Sequence, residues 1–565
     1  MHNKRIIVAL FAFVVISTLV VTLFVGCKPE TETSTTAAGS TETIETSAGE
    51  TTAAGEESTT TAANQPKIGG TMRLHIAEPV SLDPPNTSES EGIQIVRQIW
   101  DGLFTYDPVT LEIKPKLCEK YEIGDNGLTY TFYIKKGVKF HSGKELKAED
   151  FVYSWTRAVL KENAASLAYL FEPIVGYNEC QDGSSTEFKG VKALDDYTLQ
   201  VTLKYPYADF INTLGHVAFY PVNKESIEKT GDKAGEMPDG TGPFKFVKWE
   251  HDQYVELARN DDYYGQKAYL DGAKYIIIPD DQTAFLEFQA ENIEETNIPI
   301  GQVKAVQADP KWKDGVIIHP MLGLYYYGIN TNAEPFKDNL ALREVINYII
   351  DRQNICDTLR EGVSTPATGI VPPGIPGFQE NAMEYTFDLE KAKAKLAEAG
   401  YPEGKGLPTI SLAYFTEATY NEVIAQAVQS DALKIGINIK LDGYEYGTFS
   451  EKAQKGELSI FVHGWQADYP TMDSFLYPLF YSKSADNFIG YNNPEVDKLL
   501  IEARSTADKA QREAKYQEIE KLILKDAATA PIYFIGTSRI IQPYVKGFVL
   551  SNMDAYDLAS VWLDE

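Results

Sequence analysis

Residues 409–441, TISLAYFTEATYNEVIAQAVQSDALKIGINIKL, decide the fold class. Thr409–Phe415 is a short apolar run with the length of a buried strand. Tyr420–Lys434 then spaces its apolar residues as a helix does, with Val423, Ala427, Ala432 and Leu433 expected to face inward. Gly436 ends that helix. Ile437, Ile439 and Leu441 alternate with polar residues, the period of a half-buried strand. Strand, helix and strand in this order make a βαβ unit, whose strands run parallel through a right-handed crossover.

The same alternation continues on both sides. Leu128–Lys135 and Thr198–Tyr205 read as half-buried strands, and Tyr275–Ile278 as a short strand stopped by Pro279. Glu149–Leu160 reads as a helix with Phe151, Trp155 and Val159 on one face. Further helices are expected at Leu340–Ile355, capped by Asp338 or Asn339, at Asp388–Ala399, ended by Gly400, and at Pro494–Ala503 and Lys509–Lys525. The class is α/β. No repeat with a period of 20–50 residues is present, which excludes solenoids and propellers.

At 565 residues the chain has room for three or four domains of ~150 residues. It carries 81 acidic and 52 basic residues, a net charge of -29. Phosphate binding needs concentrated Lys and Arg, so nucleic acid is excluded as a partner. Adsorption to an anionic membrane is excluded on the same ground. Four cysteines and seven histidines suit neither a disulfide scaffold nor a zinc array.

The N-terminal 65 residues are not globular in composition. Lys4 and Arg5 precede an apolar run from Ile6 to Val25, the pattern of an export signal. The run is long enough for an uncleaved signal anchor. Its end, Phe24-Val25-Gly26-Cys27, instead resembles a bacterial lipobox, with Phe24 where leucine is usual, and this implies lipidation of Cys27. Residues 28–65 hold 16 Ser or Thr, seven Glu, one Lys and no aromatic residue. Such a segment cannot bury enough surface to offset backbone entropy, and it reads as a disordered tether.

Catalytic motifs are missing. The sequence has no HExxH, GxSxG, Walker A loop, GxGxxG or CxxC, and its histidines do not sit at metal-ligand spacing. No catalytic residue, metal or cofactor is expected, although a glycosidase-type carboxylate pair could hide among so many acids. The 34 tyrosines are more informative, with clusters at Tyr325-Tyr326-Tyr327, at Tyr444 and Tyr446, and at Tyr469, Tyr477 and Tyr481. They are either packed on the core or line a wet binding cleft. Phe461–Pro470, FVHGWQADYP, ends a strand with Trp465 close to Asp468. Asp468 is either an ammonium socket or a turn residue bonding its own backbone.

Six ordered segments carry a family resemblance. Leu117–Ser154 contains KGVKFHSG at 136–143 and AEDFVYS at 148–154. Then come Gly240-Thr241-Gly242-Pro243-Phe244, Tyr269-Leu270-Asp271-Gly272, Leu342-Arg343 through Ile350-Asp351-Arg352, Val371-Pro372-Pro373 and Asn493-Pro494-Glu495-Val496-Asp497. Over residues 66–565 the chain resembles the extracytoplasmic solute-binding family of oligopeptide and dipeptide importers, in lipoprotein form.

The resemblance implies a two-lobed clamp with an additional third domain. One lobe would comprise 66–91, 217–320 and 535–565, the additional domain 92–216 and the second lobe 321–534. The chain would cross between lobes near Tyr327–Asn330 and Pro531–Phe534. Within the additional domain Cys118 and Cys180 could pair, the alternative being buried free thiols. Trp465-Gln466-Ala467-Asp468 matches the family motif whose aspartate takes the peptide ammonium. Main-chain reading of the ligand would fall to Pro79-Val80-Ser81 and Gly464-Trp465-Gln466. The arginine that enteric oligopeptide binders carry six residues before that aspartate is replaced here by Val462. The implied role is capture of oligopeptides, by a monomer lipid-anchored on the outer face of the cell membrane, for an ABC permease and its ATPase. An oligosaccharide ligand, or a peptide sensor without transport, is the alternative.

Overall fold

A computed structural model describes residues 65–564. The signal, Cys27 and the tether lie outside the described residues. The framework is an 11-stranded sheet. At one end, strands Ile410–Phe415 and Ile439–Tyr444 pair in parallel, Ile410 against Ile439, as the βαβ reading requires. At the other end, Thr71–Ile76 pairs in parallel with Gly272–Ile277. Two long antiparallel strands, Val316–Ile329 and Thr529–Ile541, join the halves.

The ladder between these long strands is broken. Pro320 pairs with Gly536 and Leu324 with Phe534, so Met321, Leu322 and Gly323 face Ile535 alone. Their neighbours change at the same place. Strand Glu295–Asn297 pairs with Arg539–Ile541 on one side, and strand Ile460–Gln466 pairs with Gly323–Ile329 on the other. A bulge of this kind bends a strand and increases its twist. The main irregularity therefore precedes Tyr327–Asn330. A second, one-residue slip between Tyr325 and Tyr326 lies opposite Ile532, inside the expected Pro531–Phe534 segment.

A separate four-stranded antiparallel sheet contains Thr129–Ile134 and Thr198–Thr202. Tyr130, Phe132 and Ile134 point into a core shared with Phe151, Trp155 and Val159 of helix Ala148–Val159. This core draws on residues 103–219, and Tyr469 joins it from outside. Cys118 and Cys180 are both buried and free, so the thiol alternative holds and the pairing does not. Cys356 is likewise free.

Several expectations need correction. Helix Thr419–Leu433 buries Asn421, Ile424, Ala425, Val428 and Ala432, while Val423 and Leu433 are 46% and 64% exposed. Ala432 faces inward as read, but in the first turns the stripe runs one position later, through Ile424 and Val428, where buried Asn421 anchors it. Its amide donates to the Phe415 carbonyl and its oxygen accepts from the Tyr325 hydroxyl. The helix expected over Leu340–Ile355 ends at Tyr348. Asp351 caps a new short turn there, and the buried Arg352 guanidinium donates to the carbonyls of Asn347 and Pro531. Gly240 and Gly242 form a turn pressed on a helix end, where a Cβ on Gly240 would lie 2.1 Å from the Ile99 carbonyl oxygen.

Candidate ligand-binding cleft

A cavity of about 830 Å³ opens between the two halves of the large sheet. Ala77 and Pro279 border it just past the carboxyl ends of Thr71–Ile76 and Gly272–Ile277, and Glu417–Thr419 just past Ile410–Phe415. Open α/β sheets place ligands in this position, where strand order reverses and loops diverge. Glu91, Asp280, Asp281, Glu295, Glu417 and Asp554 line the cavity, against a single arginine. That arginine, Arg539, is already held by Glu295 at 2.9 Å and Asp554 at 2.6 Å. The cleft thus favours cationic groups. Val423 lines it too, which accounts for an exposed apolar side chain on its helix.

Gln466 lines the cavity at the end of strand Ile460–Gln466, and Asp468 follows two residues later. Backbone and neighbouring groups fix this turn. Ala467 N–H donates to the Leu322 carbonyl (2.9 Å), Asp468 N–H to Ser474 Oγ (3.0 Å), and Trp465 Nε1–H to the Ser474 carbonyl (2.7 Å). The Asp468 carboxylate takes no part in the turn. Its Oδ2 accepts from the Tyr169 hydroxyl at 2.9 Å. Neither Asp468 nor Asp486 forms an ion pair among the described residues. Loss of hydration pushes the Asp468 pKa up to about 7, with a smaller push from Asp486 and partial relief from Tyr169. Although part of the residue surface is open to solvent, the carboxyl is enclosed by protein. Burial raises the Asp486 pKa as well.

The other expected site residues are placed apart. Gly464 and Gln466 are exposed, and strand Ile410–Phe415 pairs with the neighbouring strand only at Ile460 and Phe461. The edge from Val462 to Gln466 therefore extends past its partner and can accept an added strand. Pro79, Val80 and Ser81 line a different cavity, of about 1280 Å³, beside Tyr153, Trp249 and His251. The Val80 N–H is held by Glu89 Oε1 (3.0 Å), and the Ser81 carbonyl accepts from Thr87 (3.1 Å). Segments 79–81 and 464–468 share no hydrogen bond. Tyr325, Tyr326 and Tyr327 are buried in the core, not in the cleft.

The sequence reading missed Tyr169, which meets Asp468 from 299 residues away, and Asp486. It also missed a buried network on Asp473. The Asp473 carboxylate accepts from the hydroxyls of Tyr207 (2.7 Å), Tyr469 (2.9 Å) and Tyr516 (2.7 Å) and from Arg504 Nε (3.0 Å). The Arg504 guanidinium also stacks 3.5 Å from the Tyr477 ring centroid and donates to the Tyr205 hydroxyl. Only the clustering of tyrosines hinted at this. Among the described residues no group of three or more His, Cys, Asp or Glu is placed to hold a metal ion.

Bacterial extracellular solute-binding proteins, family 5 (middle region), match residues 112–487. An oligopeptide-binding protein OppA of Bacillus subtilis is 32% identical over 495 residues, covering 85% of this chain and 90% of that protein. Heme-binding protein A of Haemophilus influenzae is 30% identical, covering 82% and 87%. The solved periplasmic binding protein DppA of Helicobacter pylori, in complex with the peptide STSA, superposes with a TM-score of 0.77 at 29% identity, covering 88% of this chain and 99% of that one. The chain belongs to the family 5 extracellular solute-binding proteins. It has their two-lobed α/β fold, and the family is one of binding proteins and not of enzymes.

Proposed function

We propose that this chain captures oligopeptides in the cleft and delivers them to the permease and ATPase of an ABC importer. One observation carries the reading: Asp468 is a desolvated carboxylate with no counter-charge, next to Asp486, at the end of an open strand edge. An ammonium group supplies the missing charge and a peptide backbone supplies the missing strand. A neutral sugar has no ammonium to offer. The peptide named with the Helicobacter pylori structure and the names of several relatives point the same way. On this reading residues 66–91, 217–320 and 535–565 form one lobe, 92–216 the additional domain and 321–534 the second lobe. The bulge at Met321–Gly323 lies at the junction and serves as part of the hinge.

Native mass spectrometry of the purified protein tests the ligand class. Co-purifying peptides, together with a thermal shift from added peptides and none from oligosaccharides, are the expected result. A shift from sugars alone would overturn it.

The protein acts as a monomer held at the outer face of the cell membrane through lipid on Cys27, with residues 28–65 as spacer. Among the described residues no helix is long and apolar enough to cross a membrane. Two acyl chains on one cysteine give stable anchoring. In cells fed radiolabelled fatty acid, Cys27→Ala should abolish label incorporation and leave the longer precursor. Persistent labelling of that variant would refute the anchor.

A further inference from the structure

Helix Ser90–Ile99 turns Glu91 and Gln94 toward the 830 Å³ cavity. Gln94 donates to Asp554 Oδ2 at 3.0 Å. One turn further along, Arg97 lines a neighbouring cavity of about 450 Å³, whose walls include Tyr106, Tyr220, Tyr264 and Met553. This second cavity carries four basic residues, Arg97, Lys114, Lys116 and Lys135, against three acids, Asp101, Asp107 and Asp557. Lys114 is paired with Asp107 at 2.5 Å and Lys116 with Asp101 at 3.4 Å. Arg97 forms neither an ion pair nor a hydrogen bond among the described residues. Its guanidinium lies 5.9 Å from the centroid of the Tyr106 ring, and its Nε is buried without an acceptor. Lys135, on the same wall, stands 5.6 Å over Tyr264 and also lacks an acidic partner.

An unpaired arginine is unexpected in a chain with 81 acidic residues. Half-buried and without a carboxylate, it has given up hydration for no protein counter-charge. Its position is informative. The Tyr106 hydroxyl responds to the positive charge of Arg97 and to the negative charge of Asp468. Both charges thus lie within electrostatic reach of that one hydroxyl, and Arg97 alone is in contact with the ring. Val462 is fully buried in the sheet and supplies no cation.

We propose that Arg97 anchors a carboxylate of the bound ligand, so that the cleft reads a zwitterion, with the ammonium on Asp468 and the carboxylate on Arg97. The planar guanidinium offers two parallel N–H donors to both oxygens of a carboxylate, a geometry that lysine cannot reproduce. The inference rests on the peptide reading above and assigns its second pole. The carboxylate is either the C-terminus of the peptide or an acidic side chain within it.

Isothermal titration of the full chain in detergent separates these cases. The probes are tetra-alanine as free acid, tetra-alanine as C-terminal amide, and the amide of Ala-Ala-Glu-Ala. Wild type should bind the free acid about 10- to 100-fold more tightly than its amide, the range of a hydrogen-bonded charge. Arg97→Gln should weaken the free acid alone and bring the two within about threefold. Recovery of affinity in the Glu-containing amide would support the anchor with the side chain as its source. Arg97→Lys, which keeps the charge, should fall between wild type and Arg97→Gln, and it decides the matter if Arg97→Gln does not fold. Equal binding of all three probes by wild type would overturn the anchor and leave the Asp468 reading intact. Failure of wild type to bind any of the three would overturn both.

Discussion

Asp468→Asn should lower the affinity for a free peptide by roughly two to four decades. The substitution keeps the shape of the side chain and its bond to Tyr169 but removes the charge. The ligand ammonium is then enclosed without a counter-ion, a loss of about 3–5 kcal/mol by analogy with broken buried pairs. The backbone should not change, because Ser474 and Leu322 hold the turn and the carboxylate does not.

The raised pKa of Asp468 gives this prediction a pH signature. With a pKa of about 7 in the free protein, Asp468 must release a proton to bind an ammonium below that pH. Affinity should therefore fall as pH drops below 7, by up to about tenfold per unit. It should also fall above pH ~8, where a peptide α-amino group of pKa about 7.7–8.0 loses its own proton. The free protein behaves in the opposite sense. An acid whose pKa is raised by folding leaves the native state fully favoured below the unfolded value and progressively less so as pH rises toward 7. Asp468→Asn removes that penalty and should raise the unfolding temperature of the ligand-free protein at pH 8. Scanning calorimetry checks it, and a lower unfolding temperature would contradict it. The binding residue is thus expected to cost stability when no ligand is bound.

Asp473→Ala should have the largest effect on stability, a loss of about 3–5 kcal/mol. Burial alone would raise the Asp473 pKa, but Arg504 and the tyrosine hydroxyls more than offset this and hold it below the usual carboxylate range. Without Asp473, the Arg504 guanidinium is left 5% exposed with only the more distant ion pair to Glu172, at 3.9 Å. Three tyrosine hydroxyls lose their acceptor at the same time. Tyr205 and Tyr207 come from the 92–216 region, and Asp473, Arg504 and Tyr516 from the 321–534 region, so the break loosens the contact between them. Limited proteolysis should show earlier cleavage within 92–216. Adding Arg504→Met removes the stranded charge, and the double variant should be less destabilised than the two single losses combined. Simple additivity in denaturant melts would show that the pair is not coupled.

The parts of the fold that a local period encodes were legible in the sequence. The parallel pair around Thr419–Leu433 follows from a strand–helix–strand pattern, and helix Lys509–Lys525 has its expected bounds. The inward face of Thr419–Leu433 was not legible. Val423 and Leu433 look like core residues until a cleft lies beside one and solvent beside the other. The bulge at Met321–Gly323 was hidden for a related reason, since a slip in register depends on a partner strand some 200 residues away. Asp468 was a candidate from its place beside Trp465 at a strand end, and only the motif Trp465–Asp468 in the resemblance favoured the socket over the turn. Its partner Tyr169 is brought to it by tertiary folding, and Arg97 is left without an acid by the same folding, which no spacing along the chain reports.

On the proposed function, Asp468 takes the ammonium of a peptide inside the cleft. Titration of wild type and Asp468→Asn, each with a free and an N-acetylated form of one peptide, tests it most directly. Acetylation and the substitution remove opposite ends of the same interaction, so their effects should be strongly non-additive. Wild type should prefer the free peptide by decades, and Asp468→Asn should barely distinguish the two forms. Additive effects, or an Asp468→Asn variant that binds free peptide as wild type does, would contradict the account.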